Sequence, residues 1–297
     1  MAYGTPRDRD DIEAYYTDIR RGRRPEPEQL ADLVARYDAL GGTFPLRSIT
    51  EAQLDGIQAA LDAGEPGRFT VVLGTKHASP SIEDGVAALA ADGLDRAVGV
   101  VLAPHWSTVS VGQYAARAIA AGDVHGVHVE TVPSWHLLPA YVDFLADAVA
   151  EAMADMPGAE VVFTAHSVPA RVVAIGDPYP DQLGETASAV AAALSLRRWS
   201  VGWQSAGRTA DPWLGPDVLE ILADRSAAGS EGVVVCACGF TADHLEVAYD
   251  LDIEAANLAR TLRLPFARTR SVNADPRVMA GLADVVRAAA DGADGAA

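Results

Sequence analysis

The 297-residue chain has one lysine, two cysteines and no long hydrophobic run, and each scarcity removes a class of protein. Cys236 and Cys238 cannot build a disulfide framework, and a Cys-x-Cys pair in an extended segment is badly placed to bridge to itself. No apolar run approaches the ~20 residues of a membrane span, and no charged-then-apolar leader precedes a cleavage site. These features predict a cytoplasmic protein of a reducing compartment, without an integral membrane segment. Basic residues are also scarce: 23 Lys plus Arg stand against 41 Asp plus Glu, for a net charge of −18. A nucleic-acid binder would need a basic stripe to displace phosphate counterions, so no nucleic-acid partner is expected. A glycine-rich phosphate loop is missing, and no nucleophile-elbow pattern surrounds His166-Ser167. Lys76 is the sole lysine, for which genomic base composition is the simplest explanation.

What remains is the composition of an ordinary globular protein, 49% apolar and 22% charged, of a length that suits one large or two medium domains. Short apolar runs recur at Phe69–Leu73, Val98–Ala103, Val127–Val132, Glu160–Thr164, Trp199–Gln204, Gly232–Cys236 and Leu264–Ala267. Most are continuous rather than alternating, the pattern of parallel strands buried on both faces. Amphipathic stretches lie between them. Leu30, Leu33, Val34, Tyr37 and Leu40 hold helical spacing, with Pro27 near the start and Gly41-Gly42 at the end. Ser81 followed by Asp84 reads as a helix cap. Strand and helix alternating in this way predict an α/β fold of doubly wound type. Seven strands divide unequally into two halves. Met1 to Pro6 read as the carboxyl end of a strand and its turn, so a further strand of about five to eight residues is expected ahead of Met1.

Four histidines, His77, His105, His166 and His244, follow such apolar runs, at the sheet edge where open α/β folds bind ligands. Singly each would pass as a structural residue; together they favour a site. If the segment from Asp243 is helical, Glu246, Asp250 and Glu254 fall at i, i+4 and i+8 on one face. Such a face is either a solvated acidic surface or a ladder of hard oxygen ligands for a divalent cation. Histidine beside carboxylate suits ferrous iron. Arg20, Arg21, Arg23 and Arg24 form a basic cluster suited to carboxylates, or a solvated helix end. Trp203 to Arg208 add an aromatic ring and polar groups after another strand.

Taken in order, these motifs resemble the ferrochelatase family, in particular coproporphyrin III ferrochelatases of Gram-positive and actinobacterial type. The similarity runs over essentially the whole chain. It is carried by Met-Ala-Tyr-Gly-Thr-Pro at 1–6, Tyr15-Tyr16-Thr17-Asp18-Ile19-Arg20-Arg21-Gly22, Lys76-His77 and Leu102-Ala103-Pro104-His105. The most specific matches are Ala165-His166-Ser167, Gly176-Asp177-Pro178-Tyr179-Pro180-Asp181-Gln182-Leu183, Gly202-Trp203-Gln204-Ser205 and Asp243-His244-Leu245-Glu246-Val247.

The resemblance implies two Rossmann-like chelatase lobes, each a four-stranded parallel sheet flanked by helices, the first lacking its first strand, with a porphyrin in the cleft. It divides the chain into 1–148 plus 276–297, with a returning C-terminal helix, and 149–275. It implies insertion of Fe²⁺, as a substrate, into coproporphyrin III, a lyase reaction of heme biosynthesis. Protoporphyrin IX as substrate and a non-catalytic tetrapyrrole or metal carrier remain the alternatives. By carry-over His166 and Glu246 are catalytic and hold the metal, and Tyr3 approaches it from the other side. Asp250, Glu254 and Arg36 form an outer cation ladder where the family can bind Mg²⁺. Tyr3, Ile19, Arg20, Arg21, Thr43, Gln53, Lys76, Trp203 and Ser205 are assigned to the porphyrin. Phe44 stands where relatives usually carry Ser, which bears on one propionate contact. Two cysteines are too few for an iron–sulfur cluster, which takes about four ligands, so none is expected. A monomer is expected, in transient contact with the next enzyme of the heme pathway.

Overall fold

Strand and helix alternate along the chain much as the apolar runs predict. The structure is a computed structural model that describes residues 1–42, 45–207 and 211–294. The elements in chain order begin α1 (Ile12–Ile19), α2 (Pro27–Ala39), α3 (Pro45–Gly64), α4 (Ile82–Ala91), β1 (Arg96–Gly99), α5 (Val111–His125), β2 (His128–Thr131) and α6 (Pro139–Met153). They continue with β3 (Glu160–His166), α7 (Ala170–Ala174), α8 (Tyr179–Leu194), β4 (Trp199–Gln204), α9 (Val218–Ala227) and β5 (Val233–Cys236). The last are α10 (Leu245–Val247), a π-helix (Ala248–Ala255), α11 (Ala256–Leu262), β6 (Phe266–Arg268) and α12 (Pro276–Asp294). Local chemistry explains several starts. Ser81 accepts from the Asp84 amide at 3.0 Å while Asp84 accepts from the Ser81 amide at 2.8 Å, closing the expected capping box of α4. Proline fills the first turn of α2, α6 and α8, where no amide donor is needed.

The chain forms two compact units. The second comprises Ala103–Val109 and Ser134–Val272. Its sheet is fully parallel in the order β4-β3-β5-β6. β3 is central, with Val161, Val162, Phe163 and Ala165 completely buried, as are Val233, Val234 and Val235 of β5. Burying each such side chain stabilises by roughly 1.5–3 kcal/mol, which is why these runs carry no polar alternation. On one face α9, α10 and the π-helix pack Val218, Leu222, Val247 and Leu251 against Val162 and Val235. This unit starts earlier than the expected residue 149. α6 packs on α8 and β5, burying Tyr141 and Phe144, and the Tyr141 hydroxyl donates to the Cys238 carbonyl. Residues 103–109 are tied to α8 and the residues before it by amide bonds from Trp106 to Gln182 and from Thr108 to Asp177, each 2.6 Å.

The first unit holds Met1–Leu102, Ser110–Pro133 and the chain from Asn273 onward. Among the described residues its sheet has two parallel strands, β1 and β2, rather than the three expected within the chain. The run Phe69–Leu73, expected as a strand, makes no ladder. Instead the Gln58 side chain of α3 donates to the Phe69 carbonyl and accepts from the Val71 amide, at 3.1 and 2.8 Å, as an adjoining strand would. Beyond it, Ala2 bridges Thr75 in parallel and the Leu102 amide donates to the Met1 carbonyl at 2.9 Å. α12 packs along α3, where a Cβ on Gly56 would lie 2.9 Å from Met279 Cγ, so glycine sets how closely these helices approach.

Candidate active site

β3 delivers His166 at its carboxyl end. A carbonyl can only accept, so His166 Nδ1 donates to the Ser167 carbonyl at 2.5 Å, and Nε2 is left to face outward. The buried Tyr179 hydroxyl donates to the His166 carbonyl at 3.2 Å, and the Trp213 ring centre lies 6.3 Å from the imidazole. His244, just ahead of α10, is fixed in the same sense: its Nδ1 donates to the Ala242 carbonyl at 2.9 Å. Glu246 in α10 lies against both histidines. Its Oε1 is 3.7 Å from His166 Nε2 and its Oε2 is 3.5 Å from His244 Nε2. The Nε2 atoms of two imidazoles therefore face one carboxylate. The His166 and Glu246 side chains are 36% and 37% exposed, which leaves both open to a ligand.

The backbone behind this cluster is held by Gln204 at the end of β4. It accepts from the Thr164 hydroxyl at 2.9 Å and donates to the Glu246 carbonyl at 3.2 Å. Beyond α10 the expected continuous α-helix is replaced by the π-helix, one residue wider per hydrogen-bonded ring. Asp250 is buried within it and accepts from the Ser205 hydroxyl; Ser205 holds a left-handed φ of 59°. Glu254 is partly buried. Among the described residues no three His, Cys, Asp or Glu side chains form a ready metal cage.

The structure separates the other expected site residues by role. His105 is buried on Thr186, 2.9 Å from Nε2 to the hydroxyl, and burial pushes its pKa down to about 3, so it is a neutral core residue. His77 pairs with Asp18 at 2.7 Å and stacks edgewise on Tyr3, ring centres 4.8 Å apart. Desolvation dominates at His77 and lowers its pKa despite that partner. Of the four strand-edge histidines, only His166 and His244 meet at one carboxylate. Gln53 is buried in α3 and donates to the Asn273 carbonyl at 2.9 Å, so it supports the fold of the first unit. Trp203 is likewise buried, against the Tyr179 ring. Lys76 sits over the Tyr114 ring at 5.2 Å, and burial, followed by repulsion from Arg117 and Arg21, lowers its pKa to about 8. Arg20 lies over the Tyr16 ring, Arg21 is exposed and Ile19 is partly buried. Arg36 pairs with Asp32 one turn earlier in α2. Thr43, Phe44 and Arg208 lie outside the described residues. The residue that sequence spacing left unassigned is His244. Its place among four strand-edge histidines was visible, but its pairing with Glu246 required the fold.

Fold comparison identifies the class. The chain superposes on sirohydrochlorin-type chelatases: SirB from Bacillus subtilis with Fe3+, with a TM-score of 0.52 at 15% identity over 82% of this chain and 91% of that one. The siroheme-biosynthesis enzyme CbiX of denitrifying bacteria gives 0.53 at 14% identity over 80% and 90%. The architecture is thus that of a chelatase. At the sequence level, the Ferrochelatase family profile matches residues 1–290. A ferrochelatase of Herpetosiphon aurantiacus is 42% identical over 293 residues, covering 96% of both chains. A coproporphyrin III ferrochelatase of Bacillus subtilis is 44% identical over 294 residues, 96% of this chain and 95% of its own. The chain belongs to the ferrochelatase family.

Proposed function

We propose that this protein inserts Fe²⁺ into coproporphyrin III to give Fe-coproporphyrin III in heme biosynthesis. The observation that carries the reading is the convergence of His166 Nε2 and His244 Nε2 on the Glu246 carboxylate, at 3.7 and 3.5 Å. Insertion releases two pyrrole N–H protons, and the imidazole of His166, with Nε2 facing outward, is oriented to take one. Glu246, between the two rings, can pass a proton to His244 or neutralise the arriving cation. An open acceptor cluster suits iron as substrate in transit better than a closed cage would. Relatives named as coproporphyrin III ferrochelatases, at 40–44% identity, support the choice of porphyrin.

In the same reading Tyr3, Ile19, Arg20, Arg21, Lys76 and Thr43 contact the porphyrin, the cationic groups meeting its carboxylates. Asp250 and Glu254 are hard oxygen donors of the kind that would hold an outer Mg²⁺, with Arg36 nearby in role. The cysteines are both fully buried, Cys238 with its Sγ 3.7 Å from the Thr164 carbonyl, and the reading includes no iron–sulfur cluster. A cytoplasmic monomer that meets the next heme-pathway enzyme transiently completes it. Among the described residues no helix is long and apolar enough to cross a membrane.

His166→Ala tests the assignment. The variant is expected to bind porphyrin, read by quenching of intrinsic fluorescence, while metalloporphyrin formation falls by at least a hundredfold. Near-normal turnover would refute the role. Competition between coproporphyrin III and protoporphyrin IX in the wild type settles the substrate, and an unchanged metal-free spectrum after iron addition would instead mark a carrier.

A further inference from the structure

Lys76 is the sole lysine of the chain, and the first unit holds it at both its backbone and its side-chain head. Its amide donates to the Ala2 carbonyl at 2.9 Å, and its carbonyl accepts from Arg117 Nη1 at 2.7 Å. Its ammonium lies over the Tyr114 ring, 5.2 Å from the centre. Tyr114 and Arg117 both belong to α5, three residues apart and therefore on one face of the helix. α5 thus grips Lys76 twice, at the peptide group through a guanidinium and at the ammonium through an aromatic face. The neighbours of Lys76 are tied as well. The Thr75 amide donates to the Pro80 carbonyl at 2.8 Å and the His77 amide to the Tyr3 carbonyl at 3.0 Å.

Arg117 is itself held in place. Its Nε and Nη2 donate to the two carboxylate oxygens of Glu83 at 2.8 and 2.6 Å, a planar two-bond pairing that fixes the guanidinium in one orientation. Glu83 is the second residue of α4, where the helix N-terminus favours a carboxylate, and the bonds from Arg117 hold its pKa below the ordinary range. Both side chains are partly exposed, and an exposed ion pair adds little to stability. The consequence of the fork therefore lies in the third bond, which orients the Lys76 peptide group. The same arrangement sets the charge on Lys76. Desolvation, then repulsion from Arg117 and Arg21, lowers the pKa of its ammonium to about 8, and a carboxylate placed beside it would offset both effects.

We propose that Arg117, oriented by Glu83, is a positioning residue for porphyrin binding: its bond to the Lys76 carbonyl holds the ammonium over Tyr114, where it meets a carboxylate of the substrate. The proposal rests on the reading of Lys76 as a porphyrin contact, and Arg117 acts through Lys76.

The sole lysine makes the test direct. Protein grown with lysine carrying 13C at Cε gives a single side-chain resonance, which in the wild type is expected to be displaced upfield by the Tyr114 ring and to titrate with a midpoint near pH 8. In Arg117→Gln the upfield displacement is lost and the midpoint rises, while KM for coproporphyrin III increases about tenfold and kcat stays within about twofold. Glu83→Gln, which leaves Arg117 a neutral partner, moves both readouts the same way by less, and it carries the test if Arg117→Gln fails to fold. An unchanged Lys76 resonance in the variant that folds would overturn the proposal. Lys76→Met separates the positioning role from the reading beneath it, and is expected to raise KM at least as much as Arg117→Gln. A rise in KM for Lys76→Met but not for Arg117→Gln would show that the fork only joins α4 to α5, and the positioning role would fall. If KM is unchanged in both, Lys76 is no porphyrin contact and the proposal falls with that reading.

Discussion

At the scale of residues, histidine serves this chain in two opposite ways, and the surroundings of each ring decide which. His166 and His244 expose Nε2 to a carboxylate, whereas His105 is enclosed with a hydroxyl partner and stays neutral. The enclosed ring has a pH consequence. Its folded pKa of about 3 lies below the ordinary value near 6.5, so as pH falls through 6.5 the unfolded chain takes up a proton that the folded chain refuses. Stability from this residue is thus present above pH 6.5 and lost progressively toward pH 3. His105→Asn, with a neutral side chain that does not titrate, should show a flatter decline of the urea midpoint between pH 6.5 and 4 than the wild type; parallel curves would contradict this. Gln53 gives a second contrast. Its buried amide bonds the Asn273 carbonyl, so Gln53→Ala should cost about 1–3 kcal/mol of stability while leaving KM for porphyrin within twofold. A large rise in KM with unchanged stability would restore it to the porphyrin site.

At the scale of elements, caps and apolar continuity fix most of the helices and strands. The reciprocal Ser81–Asp84 cap was readable from two residues, and Ser81→Ala should lower stability by about 1 kcal/mol in a urea titration, with activity retained. Trp199–Gln204 matches β4 at both ends, and β3 extends the expected run by two residues to include His166. Two elements were not readable. The segment from Leu245 has the apolar spacing of an α-helix, yet Ala248–Ala255 is wound as a π-helix, because the packing of Val247 and Leu251 on the sheet and the Ser205–Asp250 bond act together on that turn. Phe69–Leu73 has the composition of a buried strand but no ladder, because strand formation depends on a neighbour and composition supplies none.

At the scale of the whole molecule, the two units differ in how far their sheets are covered. The second is centred on strands with no exposed side chain, and the first leaves Phe69–Leu73 and β1 partly exposed. Amide exchange in native conditions should therefore be slowest in β3 and β5 and measurably faster in Phe69–Leu73 and β1, by mass spectrometry of peptic fragments. Equal protection in both units would show that the partial cover has no effect on local opening.

Sequence alone determined the α/β class, the order of most elements, their capping and the presence of His166 and Glu246 in chelatase-like motifs, because these depend on periodicity and on short ordered patterns. Tertiary structure alone decided which of four similar histidines meet at Glu246 and which polar residues are core supports. Those outcomes depend on contacts between residues far apart in the chain, where burial and hydrogen-bond partners, rather than residue type, set what each side chain can do.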